Sequence, residues 1–275
     1  MKLGLNGATT MKASLWTDIE VAKAAGYELI EIWAAKLDKA IEEKGLPAVK
    51  KALADSGVKP WAINSIEHIS FRTAADEKGV KDRCKQLTDI ALEIGCPNIV
   101  VVPGFAPKGA TEKTIIDESC RILHDLSDIA GPKVGLAYEF IGGQGLSVGT
   151  LGEDKKVIQA CNRANVGLVI DTFHFYAGNS SFADFEGLDP KKVFIFHIND
   201  AEDLPRADLR DSHRLYPGLG ILPLKEILAN LKRIGYSSMA SIEIFRPEYW
   251  DQDPLAVAKA GRDSMIKVLG AAGLM

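Results

Sequence analysis

The sequence predicts an α/β protein, a (β/α)8 TIM barrel closed within a single domain over residues 1–275, and three observations carry that expectation. Short apolar segments alternate eight times with longer amphipathic ones. Several short segments, such as VGLVI at 166–170 and VFIF at 193–196, are apolar throughout, as strands buried on both faces of a parallel sheet are. Five glycines mark the passage from a helical pattern into the next strand, where a residue after a helix often needs positive φ.

In chain order the strands are expected at Lys2–Asn6, Glu28–Ile32, Lys59–Ile63, Asn98–Val102, Lys133–Tyr138, Val166–Ile170, Val193–Phe196 and Met239–Ile242. Between them, Thr17 with Glu20 and Thr150 with Glu153 have the spacing of a capping box, in which hydroxyl and carboxylate satisfy orphan N–H groups reciprocally. Pro47, Pro223 and Pro254 suit the first helical position, whose N–H has no partner to lose. Val80, Leu87 and Ile94 fall on one helical face, as do Leu224, Ile227, Leu228, Leu231 and Ile234. The stops are Gly26, Gly57, Gly95, Gly131 and Gly235. The repeat of roughly 34 residues suits βα units that close as a barrel.

An open doubly wound sheet would carry a glycine-rich phosphate loop after its first strand. Here that strand runs into Asn6-Gly7-Ala8-Thr9-Thr10, without G-x-G-x-x-G, and no Walker A motif occurs. No Pro/Gly/Ser-rich linker divides the chain. The longest irregular stretches, 64–76, 103–112 and 199–222, all follow strands and so belong to the face where barrel active sites gather.

Composition removes several function classes. The net charge is −4, with Lys and Arg scattered among Asp and Glu, which argues against a nucleic-acid partner. No apolar run approaches the ~18 residues of a membrane span, and MKLGLNGATT has no secretory apolar core. A cytoplasmic location is the expectation. Cys84, Cys96, Cys120 and Cys161 form no C-x-x-C pair and read as small buried hydrophobes.

Chemistry concentrates where the last four strands end. The fifth ends in LAYEF with Glu139, the sixth in LVIDTFH with Asp171 and His174, the seventh in FIFHIND with His197 and Asp200, and the eighth in ASIEIF with Glu243. An ionisable group directly after an apolar strand is costly unless something binds it. Adjacent strand ends of a closed barrel converge, so Glu139, Asp171, His197 and Glu243 are expected to form one site. Three carboxylates and an imidazole suit one divalent metal ion: Mn2+, Mg2+, Co2+ or Zn2+. Such an ion leaves room for the paired oxygens of a hydroxy-ketone and stabilises the enediolate formed when a carbon-bound proton is lost. His174 is a candidate to hydrogen-bond a substrate oxygen. His68, after the third strand, is a candidate for the pocket wall. Trp33 and Trp61, near strand ends, are candidates to exclude water; for them and for Glu31 barrel packing is the alternative. His124 falls on the polar side of a helix and reads as a surface residue; His213 is uninformative.

At these residues the sequence resembles the xylose-isomerase-like barrel family of sugar isomerases, epimerases and endonucleases. The likeness covers essentially the whole chain and is greatest to its inosose isomerases of inositol catabolism. It rests on NGATT at 6–10, IEIW at 30–33, DEKG at 76–79, DTFHF at 171–175, HINDAEDLP at 197–205, RLYPGLG at 214–220 and SIEIFRPEYW at 241–250. The resemblance implies metal ligation by Glu139, Asp171, His197 and Glu243, proton exchange by Glu139 and Glu243, and substrate contacts from His174 and Arg214. It implies a small keto-inositol or ketose as substrate, converted by proton transfer into a positional keto isomer. A ketose 3-epimerase or a keto-sugar lyase or dehydratase would use the same site. It leaves room for a homo-oligomer. A DNA-repair endonuclease of this family holds several metals with many histidines, and this chain has five; a catalytically silent barrel would have no need of the ligand quartet. Two departures bear on specificity: family members carry Glu where this chain has Gly7, and the segment Glu67–Thr73 does not follow the family pattern and borders the expected pocket.

Overall fold

The structure, a computed structural model, describes residues 1–275. Eight parallel strands close into a barrel in chain order, with the first strand paired to both the second and the eighth. The strands are Lys2–Asn6, Leu29–Trp33, Lys59–Ile66, Asn98–Val101, Gly135–Glu139, Val166–Asp171, Val193–Ile198 and Met239–Ile242. Several run one to three residues further than the apolar pattern, because polar residues at their C-terminal ends still pair with neighbours: Asp171 lies opposite His197, and Trp33 opposite Asn64.

Successive strand residues face opposite sides. One set, including Ile30, Ile63, Tyr138, Ile170 and Phe196, packs against the helices in the large core. The other set fills the barrel: Leu29, Ala62, Val100, Ala137, Val169, Ile195 and Met239 make an apolar plug. Two residues further along the same inward set come Glu31, Asn64, Glu139, Asp171 and His197, and beyond Met239 come Ser241 and Glu243. The alternation that packs the plug therefore aims these polar groups at the barrel axis.

The helices follow their local signals closely. All five predicted glycine stops have positive φ, between 66° and 85°. The Thr150–Glu153 capping box is formed on helix Leu151–Cys161. The Thr17–Glu20 box is not: the helix begins at Leu15, and Ser14 accepts from the Thr17 N–H. Two helices, Ala34–Lys44 and Leu46–Ser56, follow the second strand, divided at Gly45 with Pro47 in the first turn of the latter. Pro223 precedes helix Leu224–Ile234 as its cap, while Pro254 opens helix Pro254–Ala271. His124 is half-buried, bonded through Nε2 to the Cys161 carbonyl at 2.8 Å, and so is not a free surface residue. The four cysteines are unpaired thiols. No helix is long and apolar enough to cross a membrane.

The stretch 199–222 is ordered by Asp200. Its carboxylate accepts from the N–H groups of Ala201, Gly218 and Leu222. A two-residue antiparallel pair, Asp200–Ala201 with Arg214–Leu215, folds the loop back over the barrel mouth.

Candidate active site

The ends of the fifth to eighth strands converge as expected. One donor atom from each of Glu139, Asp171, His197 and Glu243 lies within 4.8 Å of the others, and all four residues are buried. His197 Nδ1 is 2.9 Å from Glu139 Oε1, 3.4 Å from Glu243 Oε2 and 3.8 Å from Asp171 Oδ2. On the opposite edge of the ring, Nε2 is 3.0 Å from both oxygens of Glu31. A carboxylate accepts, so Nε2 carries hydrogen there and Nδ1 is turned toward the cluster.

Two of the three carboxylates, Asp171 and Glu243, are oriented by donors outside the cluster, while Glu139 is held by His197. Asp171 Oδ1 accepts from the His174 N–H, and Oδ2 from Asn199 Nδ2. Glu243 Oε1 accepts from Asn6 Nδ2 at 3.0 Å and Asn64 Nδ2 at 2.9 Å. Asn64 also donates to Glu31 at 3.1 Å. Arg214 Nη1 donates to Asp171 at 2.8 Å and to Glu243 Oε2 at 3.0 Å. Its guanidinium lies over the rings of Phe173 and Phe245 and is 0% exposed.

Charge is unevenly matched in this buried cluster. Four carboxylates, Glu31, Glu139, Asp171 and Glu243, face the cations of His197 and Arg214. Burial lifts Glu243 to about 8, and the repulsion of Glu139 adds to it, against the pull of His197 and Arg214. Burial opposes charge on His197, yet Glu243, Glu31 and Glu139 together hold its pKa well above the usual histidine range. Burial also acts against the Asp171 carboxylate, and Arg214, His174 and His197 together outweigh it to give a lowered pKa. The cluster thus retains protons to offset surplus negative charge. A convergent, oxygen-rich donor set with that surplus fits a divalent cation.

Beside the cluster opens a pocket of about 240 Å3, the size for one monosaccharide or cyclitol. Trp33, Val102, Ile141, Leu146 and Phe245 supply its apolar wall. Glu139 and Glu243 lie at its floor, with Asn64, Glu67, His68, Gln144, His174 and Asp211 around it. Gln144 Nε2 donates to Asp211 at 2.6 Å, joining the loops that follow the fifth and seventh strands. A larger hollow of about 340 Å3 lies on the other side of Trp33. Its buried Lys36 is fully engaged by Gly7 O, Thr10 O and Asp18, so it offers no unsatisfied charge.

His174 has a defined tautomer. Its Nε2 is 3.0 Å from Arg214 Nη2, which can only donate. The hydrogen of the neutral ring is therefore on Nδ1, which is buried without a protein partner. Of the other sequence candidates, Trp33 and His68 line the pocket and Arg214 does not; it reaches the pocket through its neighbours His174 and Asp211. Trp61 lies at the opposite end of the barrel beside Pro97 and Tyr236, its Nε1 donating to Phe194 O, so it walls no active site. Its strand enters the barrel there, six residues before Glu67. Asp200 serves the loop, and His213 accepts from the Arg210 N–H. Sequence reasoning missed Asn6, Asn64 and Asp211 as site residues and left Glu31 between wall and packing. The signal for Glu31 and Asn64 was positional parity with Leu29 and Ala62 on the inward face.

At Gly7, an added Cβ would stand 3.1 Å from Trp33 Cβ and 3.2 Å from Asp18 Oδ2. The Glu that the family resemblance implies at this position would meet these close neighbours and a buried carboxylate.

The family described as xylose isomerase-like TIM barrel matches residues 19–268. The chain belongs to that family. An inosose isomerase from Halalkalibacterium halodurans is 36% identical over 273 residues, covering 98% of this chain and 96% of that one. The inosose isomerase of Bacillus subtilis is 36% identical over 256 residues, covering 91% of each. A crystal structure of the IolI protein with a bound zinc atom superposes with a TM-score of 0.96 at 32% identity and full coverage of both chains. A 3-dehydroshikimate dehydratase from Pseudomonas aeruginosa is more distant, 24% identical, and the match spans 40% of its length.

Proposed function

We propose that this chain is a metal-dependent inosose isomerase, one domain over residues 1–275, that converts 2-keto-myo-inositol into a positional keto isomer. The observation that carries the reading is full-length similarity to inosose isomerases at 34–36% identity, joined to a converged ligand quartet beside a cyclitol-sized pocket. Glu139, Asp171, His197 and Glu243 would hold one divalent ion, and the zinc of the IolI structure makes Zn2+ a candidate with Mn2+, Mg2+ and Co2+. Bound there, the ion supplies Lewis-acid polarisation of adjacent keto and hydroxyl oxygens.

The remaining work falls to the protein. One of Glu139 and Glu243 removes the proton from the carbon bearing the hydroxyl, and the other returns a proton to the former carbonyl carbon. The hydroxyl proton leaves as the new carbonyl forms, and the old carbonyl oxygen gains one, so the product is an isomer. Burial and mutual repulsion of the kind that hold Glu243 near 8 suit a carboxyl to carry a proton at neutral pH. His174 offers its Nδ1–H to the oxygen on which charge develops. Trp33, Val102, Ile141 and Phe245 keep water from the intermediate.

Proton NMR in D2O of 2-keto-myo-inositol with metal-loaded protein tests this reading. Deuterium entering beside the carbonyl, with new keto-inositol signals, is the expected result. Silence on inososes with exchange on a ketohexose, or elimination from a 3-keto sugar, would move the activity to an epimerase or a lyase at the same site.

A further inference from the structure

We infer that Glu67 is a specificity residue that selects an uncharged, polyhydroxylated ring by accepting hydrogen bonds from hydroxyls remote from the reacting carbons. The inference rests on the isomerase reading for the reaction, but its own grounds are the pocket's charge and the loop's conformation.

The charged groups lining the pocket are Glu67, Glu139, Asp211 and Glu243; neither Lys nor Arg lines it. Among titratable groups, a substrate bearing phosphate or carboxylate would meet four carboxyls and two histidines, and Arg214 is enclosed behind them by its own ion pairs. Neutral hydroxyls, in contrast, donate to carboxylates without adding charge. Glu139 and Glu243 belong to the floor, and both Asp211 oxygens already accept, from Arg214 and Gln144. Glu67 is the carboxylate with spare capacity: its Oε1 accepts from the Ser65 hydroxyl, and its Oε2 has no protein partner. His68 beside it has Nδ1 3.4 Å from the Pro103 carbonyl, which leaves Nε2 free to accept.

The backbone around Glu67 is held in an unusual shape. His68 has φ 54° and Phe71 φ 57°; His68, like Asn162 and Asn179, is of a type that tolerates positive φ, whereas the bulky Phe71 is not. Left-handed backbone at bulky residues persists only where surroundings enforce it, and such positions cluster at ligand clamps. Here the enforcement is explicit: Ile69 N donates to Val102 O, Phe71 N to Glu118, and Ser70 Oγ accepts from Gly104 N. The loop fixes Glu67 and His68 as a rigid pair on the pocket wall.

The test is calorimetric titration of manganese-loaded full-length protein with myo-inositol, which has no carbonyl to react, and with each monodeoxyinositol. Glu67 is exposed and bonds only to Ser65, so Glu67→Ala should keep its melting temperature. It should weaken myo-inositol binding about 10–100-fold, the range for a hydrogen bond to a charged group. Wild type should reject at least one deoxy analogue by a similar factor, and the variant should not; Glu67→Gln should fall between. Equal myo-inositol affinity in wild type and variant, undetectable binding in both, or a deoxy penalty that survives the substitution would overturn the assignment. Deuterium exchange by wild type on 2-keto-myo-inositol is scored separately. Exchange without Glu67-dependent binding sinks the specificity role alone, and Glu67-dependent binding without exchange sinks the isomerase reading alone.

Discussion

Glu31 stands behind His197 and accepts from its Nε2, which turns Nδ1 toward the three carboxylates. Replacing Glu31 with Gln keeps the shape and loses the charge that favours this tautomer. Partners of this kind are worth about 10–100-fold in metal affinity, so Glu31→Gln should bind zinc that much more weakly in competition with a chromophoric chelator. Unchanged affinity would remove the orienting role. The four strand-end residues were readable in the sequence because each is a lone ionisable group ending an apolar run. Glu31 ends the second strand in IEIW, outside the four consecutive strand ends that converge, and so was left between pocket wall and packing. Arg214 was readable only by resemblance. Its enclosure by Asp171, Glu243, Asp211 and two aromatic rings depends on a loop that folds back from beyond the seventh strand. Nothing local in RLYPGLG announces those partners.

At the scale of single elements, helix Leu151–Cys161 shows how far local chemistry reaches. Thr150 Oγ1 accepts from the Glu153 N–H while Glu153 Oε2 accepts from the Thr150 N–H. Thr150→Ala should cost about 1 kcal/mol, seen as a melting temperature lower by ~2–4 °C; an unchanged transition would show that tertiary contacts alone fix this helix start. The strands and glycine stops were legible because period-2 burial and positive φ leave direct marks on composition. The start of the first helix was misread, since Ser14, Thr17 and Glu20 offer two registers and the chain takes the earlier one. The stretch 199–222 was opaque for a different reason. Its order comes from one buried carboxylate, Asp200, satisfying three backbone N–H groups, a pattern with no periodicity.

Across the whole molecule, burial of charge ties stability to pH. Asp18 is 1% exposed, paired with Lys36 at 2.8 Å, and burial raises its carboxyl from 3.8 to about 6. Burial lowers Lys36 as well, so both partners report the same desolvation cost. A carboxyl raised on folding contributes stability that is fully present below 3.8 and is lost as pH rises through about 6. Asp18→Asn stays neutral throughout, so the stability of wild type minus variant isolates the group. That difference should move against wild type by about 2 kcal/mol between pH 4 and pH 7 in urea titrations; a flat difference would contradict the assignment. Barrel closure has a consequence for biosynthesis. The first strand waits for the eighth, and Asn6 meets Glu243 across 237 positions of chain. Until residues 239–243 leave the ribosome, the nascent protein exposes an unpaired sheet edge of the kind that chaperones guard. The same final segment delivers Glu243, so on the proposed mechanism an interrupted chain would be sticky and inert together, and turnover would serve as a built-in certificate that translation reached the end of the ring.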